Sequence, residues 1–242
     1  MSRSSIIDHL KELRRRLLIS VFSSVLSAGV AFAFYERAIH FLSRPFQSLL
    51  MQSEHPFFAY TLFEGFFTKV KLSLLLGVVL ASPLLLYQLL RFLLPGLKRV
   101  EKKIVFIALF FGLILAGISF YLSYFKLLPF SIAFLTSSDF IPQHVGLVLN
   151  YEKSVFFVFN MILYAVILFQ FPIVLDILLY LDVLSRKTLL KAGRYIIVLI
   201  FVVTAMITPP DLISQVSLAF PLIFLFYLSI LVAKCFGWGS DV

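Results

Sequence analysis

The sequence predicts an all-α, polytopic membrane protein with six transmembrane helices and both termini on the cytoplasmic side. Three observations predict it. The 242-residue chain is 61% hydrophobic and only 14% charged, whereas a soluble domain carries about 25% charged residues. Its apolar residues gather into six runs, five of which reach or approach the ~20 residues needed to cross a hydrocarbon core of about 30 Å. Its basic residues cluster in alternate segments between those runs, the distribution that orients membrane proteins. No Gly/Ser/Pro-rich linker, composition shift or internal repeat divides the chain, so it reads as a single membrane domain over 1–242.

The first run, 17–35, begins "LLISVFSSVLSAG". It is long and no Ala-x-Ala-like site follows, so it reads as a retained span, not a cleaved leader. It is led in by "SSIIDHLKELRRRLLIS" at 4–20, where Ser5 and Asp8 fit a capping box. Ile6, Leu10, Leu13 and Leu17 recur at helical spacing, with Asp8, Glu12, Arg15 and Arg16 on the other face. The second span covers 66–92, the third 104–126 and the fourth 155–181. The fifth, 195–208, is short: at ~1.5 Å per residue it covers only about 21 Å. Pro209 and Pro210 stop it, and the sixth, 212–233, follows at once, making a hairpin with one short arm.

Charge sets the orientation. Arg3, Lys11, Arg14, Arg15 and Arg16 precede span one; Lys98, Arg99, Lys102 and Lys103 lie between spans two and three. Arg186, Lys187, Lys191 and Arg194 lie between spans four and five, and Lys234 follows span six. These segments are expected in the cytoplasm. The loops 36–65 and 127–154 are then outside, each long enough for a short interfacial helix. The same scatter of basic residues argues against a nucleic-acid partner, which calls for a concentrated patch.

Several chemistries are excluded by what the sequence lacks. Cys235 is the single cysteine, so neither an internal disulfide nor a multi-Cys metal site is expected. His9, His40, His55 and His144 all fall outside the spans, against an intramembrane haem. No phosphate-binding glycine loop, His-Glu-x-x-His pattern or Gly-x-Ser-x-Gly elbow is present. The expectation is a non-enzyme without metal or cofactor.

Polar residues inside spans are functional candidates by default. Gln170 lies two residues before Pro172 in span four. It reads either as a hydrogen bond to backbone freed by Pro172 or to a neighbouring helix, or as a contact for a partner's helix. Asp176 is close enough to the cytoplasmic end to reach headgroups or pair with a helix. Asn160, Gln88 and Gln215 read as packing hydrogen bonds, and Lys69 and Lys71 as anchors of span two at the outer interface. Glu12 and Glu101 are two carboxylates that stand in basic surroundings on the expected cytoplasmic face. Glu12 has an ordinary reading, an i,i+4 pair with Arg16. Glu101 has one too, an i,i+3 pair with Lys98. A basic face attracts anionic lipid, while isolated carboxylates on it suit a cationic ligand bearing guanidinium groups.

These segments resemble the TatC family, the multispanning receptor of the twin-arginine translocase, over roughly residues 6–232. "HLKELRRRLL" is similar to its N-terminal signature, "RPF" at 44–46 to its first outer-loop motif, and "EGFFTKVKLSL" at 64–74 to the start of span two. "SPLLLYQLLRFLLPGLKRVEKK" at 82–103 resembles the exit of span two and the first cytoplasmic loop, "FQFP" at 169–172 the polar-plus-proline site of span four, and "TPPDLISQ" at 208–215 the last outer turn. Six motifs in order at these spacings are specific. The resemblance implies a receptor in the bacterial cytoplasmic (inner) membrane, or an organelle's equivalent. It would bind twin-arginine signal peptides of folded cargo on the cytoplasmic face and gather TatA- and TatB-type single-span subunits, driven by the proton-motive force. Anionic lipids and self-association complete the expected partners.

By resemblance, Glu12, Arg14, Leu97, Lys98 and Glu101 fall on the signal-peptide site. Gln170, Ala205, Met206, Thr208 and Asp211 fall where partner helices dock, and Pro45, Pro172, Pro209 and Pro210 are structural parts of the motifs. The chain departs from the pattern at Leu90, where an aromatic is common, and at Arg91, which is unusual there. Gln170 stands where some members carry Glu, and Asp176 lies outside the pattern. Two rival readings are a small-solute secondary transporter, with Gln170 lining a path beside Pro83, Pro129, Pro172 and Pro221, and a purely structural subunit.

Overall fold

A computed structural model describes residues 3–46, 57–93, 99–137, 141, 147–208 and 212–239, with side-chain detail over 11–46, 57–88, 106–137, 141, 147–208 and 212–239. The described elements, in order, are α1 (Arg3–Ala33), α2 (Tyr35–Ser43), a 3₁₀ turn (Arg44–Phe46), β1 (Phe57–Phe58), α3 (Glu64–Leu93), α4 (Arg99–Leu122), a π turn (Ser123–Leu127), α5 (Leu128–Leu135), β2 (Leu149–Asn150), α6 (Tyr151–Leu168), α7 (Phe171–Tyr180), α8 (Arg186–Ile207) and α9 (Leu212–Phe236). Six stretches are long and apolar enough to cross a membrane: Lys11–Ala33, Glu64–Gln88, Phe106–Leu135, Tyr151–Tyr180, Arg186–Ile207 and Leu212–Phe236.

Several boundaries differ from the sequence reading, each for a local reason. α1 starts at Arg3, so Ser5 lies in its first turn and not at a cap. The third span does not end at 126. The π turn absorbs one extra residue per turn, Pro129 sits near the start of α5 where its missing N–H is tolerated, and the helix runs on to Leu135. The fifth helix begins nine residues before its apolar run. Ser185 caps it, its Oγ accepting from the N–H of Thr188 at 3.2 Å. The basic first turns are therefore helical, and the 22-residue helix spans about 33 Å. The two-residue parallel ladder β1–β2, Phe57 to Leu149 and Phe58 to Asn150, is a small addition to an all-α fold.

The chain forms two compact units. The first comprises residues 1–44, 57–99 and 149–156 and is built on α1 and α3. Arg16 reaches Gln88 near one end, and Ala28 faces Gly77 further along. Residue numbers rise on one helix as they fall on the other, so the pair is antiparallel. A Cβ at Gly77 would lie 2.6 Å from Ala28, the close approach that small residues permit within a bilayer.

The second unit comprises 45–56, 100–148 and 157–242. Its core gathers Leu175, Leu179, Leu189, Phe226, Ile230 and Ala233. Buried hydroxyls join its helices: Ser131 and Ser214 share a 2.6 Å hydrogen bond. The turn after α7 is clasped by the C-terminal segment. The carbonyl of Gly239 accepts from the N–H of Arg186 at 3.2 Å, and its own N–H donates to Asp182. Gly239 has a φ of +60°, and a Cβ there would meet Leu179 at 2.8 Å, so only glycine suits both the backbone and the space.

Candidate functional site: two polar stations on apolar helices

The first station is the N-terminal half of α1. Glu12 and Arg16 are one turn apart on a helix. Arg16 donates to Glu12 Oε1 through Nε at 3.1 Å and also through Nη2. Its Nη1 reaches Oε1 of Gln88 on α3 at 3.4 Å. The ordinary i,i+4 pair expected for Glu12 is therefore formed, and Gln88 is the residue that fixes its far side. Arg16 is largely covered, with 13% of its side chain exposed, whereas the Glu12 side chain is 41% exposed. Arg14 points away from this pair: it is exposed and makes no ion pair among the described residues. Leu97 and Lys98 lie outside the described residues. Glu101 belongs to the first turn of α4, but its side chain lies outside them.

The second station is the break between α6 and α7. Pro172 cannot supply an N–H, and the helix turns at Phe169 and Gln170 before α7 begins. Gln170 is half-buried, and its Nε2 donates to the carbonyls of Gly112 on α4 at 3.2 Å and of Val166 at 3.4 Å. Of its two ordinary readings, the bond to a neighbouring helix is the one formed. Gly112 makes room for it, since a Cβ there would lie 2.9 Å from Gln170 Oε1.

The residues expected at the partner-docking end separate. Ala205 and Met206 are exposed, Met206 to 81%. Together with Tyr195, Val198, Leu199 and Val202 they form an exposed stripe at helical spacing along α8. Thr208 is not on that stripe. It is buried, and its Oγ1 donates to the carbonyl of Thr204 at 3.0 Å, ending the helix. Gln215 donates to the carbonyl of Phe201 at 2.9 Å, joining α9 to α8 as a packing hydrogen bond. Pro45 sits in the 3₁₀ turn beside buried Phe46. Pro209, Pro210 and Asp211 lie outside the described residues. Among the described residues no cluster of three or more metal-ligating side chains occurs.

Sequence reasoning missed Glu64. It is a buried carboxylate that accepts from the N–H of Tyr60 at 2.7 Å, Asn150 Nδ2 at 2.7 Å and the N–H of Glu152 at 3.2 Å. Its position as the acidic first residue of α3 was the available signal; its partners carry none. Lys69 and Lys71, on the same helix, make ring and ion contacts. Lys69 lies 4.4 Å from the Phe32 ring centre, and Lys71 lies 3.2 Å from Glu152 and 4.2 Å from the Phe156 ring.

The motifs, the six spans and the two stations can be set beside known proteins. The family model described as "Sec-independent protein translocase protein (TatC)" matches residues 8–221. A TatC protein of Carboxydothermus hydrogenoformans is 32% identical, over 95% of this chain and 93% of its own length. One from Aquifex aeolicus is 34% identical over 94% and 93%. Two crystal structures of the twin-arginine translocase receptor TatC resemble the fold. One, in DDM, has a TM-score of 0.78 and 31% identity and covers 96% of this chain and all of its own. The other has a TM-score of 0.76, 32% identity, and coverage of 94% and 98%. These likenesses favour the translocase expectation over the solute carrier: the chain is an integral membrane protein and belongs to the TatC family of Sec-independent protein translocase components.

Proposed function

We propose that this protein is the receptor subunit of a twin-arginine translocase. It binds twin-arginine signal peptides on the cytoplasmic face of the bacterial inner membrane, with both of its own termini on that side. It recruits TatA- and TatB-type single-span partners and serves export of folded proteins at the expense of the proton-motive force. The single observation behind this reading is family membership over nearly the whole chain, joined to likeness with structures named as the twin-arginine receptor. Physical chemistry adds to it. Glu12 is a partly exposed carboxylate in basic surroundings, and Glu101 is an acidic residue set among the basic residues between spans two and three. The exposed stripe through Ala205 and Met206 offers an apolar helix a long, flat contact.

Two signal-peptide guanidiniums each need an acceptor, because a desolvated unpaired charge is costly. Arg16 already holds one oxygen of Glu12, but a partly exposed i,i+4 pair is worth only about 0.3–0.5 kcal/mol. An incoming arginine that becomes desolvated outweighs it. Removing one partner of such a charge pair costs about 2–5 kcal/mol, and ~1.4 kcal/mol is tenfold. Glu101→Gln and Glu12→Gln are therefore each expected to weaken binding of a twin-arginine peptide roughly 30-fold or more, with membrane insertion intact. The measurement is peptide affinity in purified, folded protein, with a twin-lysine peptide as control. Wild-type affinity in both variants would reduce the N-terminal stretch to an anchor.

A further inference from the structure

A cavity of about 510 Å³ lies between α4, α7 and α9. Its walls are aliphatic and aromatic, with Phe111, Ile114, Ile177 and Leu225 among them, and Asp176 and Ser229 as its polar members. The Oδ1 of Asp176 is buried and lacks a hydrogen-bond partner among the described residues. No Lys, Arg or His stands among the described residues that line the cavity. An acceptor left unmet beside apolar walls is costly, and an ionisable group at membrane depth marks a site. A mostly apolar cavity of about 300–1,000 Å³ with a few convergent polar groups is how ligand sites are built.

Depth and size limit the occupant. Asp176 precedes Tyr180, the last residue of α7, by four residues, about 6 Å of helix. Tyr180 meets Trp238 edge-on with ring centres 5.4 Å apart, and Trp238 stacks on Phe236. Such rings gather at headgroup level, so the carboxylate lies about one turn inside that layer. A single acyl chain is slender enough to run along the cavity.

We propose that this cavity binds a phospholipid with a primary ammonium headgroup. One acyl chain lies against Phe111, Ile114 and Leu225, and the ammonium donates to Asp176. A primary ammonium brings both opposite charge and three donors. A trimethylammonium brings charge without a donor, and an anionic glycerol headgroup brings the sign of the carboxylate itself. The proposal is independent of the signal-peptide reading.

The test uses the full chain purified from membranes and exchanged into phosphatidylethanolamine, phosphatidylcholine or phosphatidylglycerol of matched acyl chains. Native mass spectrometry then measures retained lipid. Phosphatidylethanolamine is expected to be retained about tenfold over the other two, the factor that one charge-assisted hydrogen bond supplies. Asp176→Asn is expected to remove the preference. Equal retention of phosphatidylethanolamine and phosphatidylcholine by the wild type would overturn the proposal even if no variant folds, and so would an undiminished preference in Asp176→Asn. A photo-reactive side chain at Leu225 is expected to capture lipid in native membranes; capture of a polypeptide there instead would give the cavity to a protein partner.

Discussion

Glu64 shows how one residue organises a surface. It is the first residue of α3, where a carboxylate suits the helix dipole, and it holds Tyr60, Asn150 and Glu152 together. Tyr151, between Asn150 and Glu152 in sequence, shares a 2.6 Å hydroxyl–hydroxyl hydrogen bond with Tyr35, 116 residues away. Burial and the Tyr151 hydroxyl push the Tyr35 phenol well above its usual range, so that residue is neutral at any physiological pH. Glu64→Gln keeps the size of the side chain but turns one acceptor into a donor that faces other donors. It is expected to lower the thermal unfolding midpoint in detergent by a few degrees. Glu152→Gln is the control, since its pair with Lys71 is exposed and is expected to change little. Equal losses in the two variants would mean that Glu64 is no more than another surface charge. None of these links was legible beforehand. Asn150 and Glu152 stand 86 and 88 residues from Glu64, and hydrophobic periodicity is silent on such pairs. Glu12, by contrast, was legible because its partner Arg16 lies one turn away, while the Gln88 that completes the link lies 72 residues from Arg16.

At the scale of elements, six spans were legible because bilayer thickness fixes a length that apolar runs must meet. Their ends were less so, because hydropathy marks where side chains turn polar and not where hydrogen-bonded turns stop. Arg186, Lys187, Lys191 and Arg194 are polar and helical together. The π turn at Ser123–Leu127 carries the third helix past Lys126 with no mark in composition. Packing between elements was legible only as a supply of small residues. The pair α1–α3 turns on Gly77, where an added Cβ would meet the Ala28 backbone and side chain at 2.6 Å. Backbone cannot swing aside as a flexible side chain does, so Gly77→Ala must push the helices apart. Overpacking of this kind costs about 1–3 kcal/mol, and the unfolding midpoint is expected to fall accordingly. Gly65, on the same helix, has nothing within 4 Å of an added Cβ. There, Gly→Ala is expected to be neutral or slightly stabilising through helix propensity. A Gly77→Ala variant as stable as Gly65→Ala would show that the α1–α3 contact is not set by that close approach.

For the whole molecule, the charge pattern predicts which side each end of the helices faces. Basic residues flank alternate ends of the six spans, and moving such a segment across the bilayer is disfavoured. Both compact units offer a reporter. In the second, Cys235 is exposed and follows Lys234 at the end of α9, an end that the charge pattern assigns to the cytoplasm. In the first, Phe58 on β1 is 47% exposed and belongs to the loop 36–65 expected outside. A membrane-impermeant maleimide is therefore expected to label native Cys235 in inside-out vesicles and leave it unlabelled in intact spheroplasts. Phe58→Cys in a Cys235→Ser background is expected to reverse this, reacting in spheroplasts and not in sealed inside-out vesicles. The two probes bear on different segments, so agreement between them is not automatic. If Cys235 reacts from outside in intact cells, the charge reading of the sixth span is wrong, and the peptide-binding face assigned through Glu12 and Glu101 loses its cytoplasmic address as well. If Phe58→Cys alone disagrees, the fault lies in the first outer loop, and the orientation of span six stands.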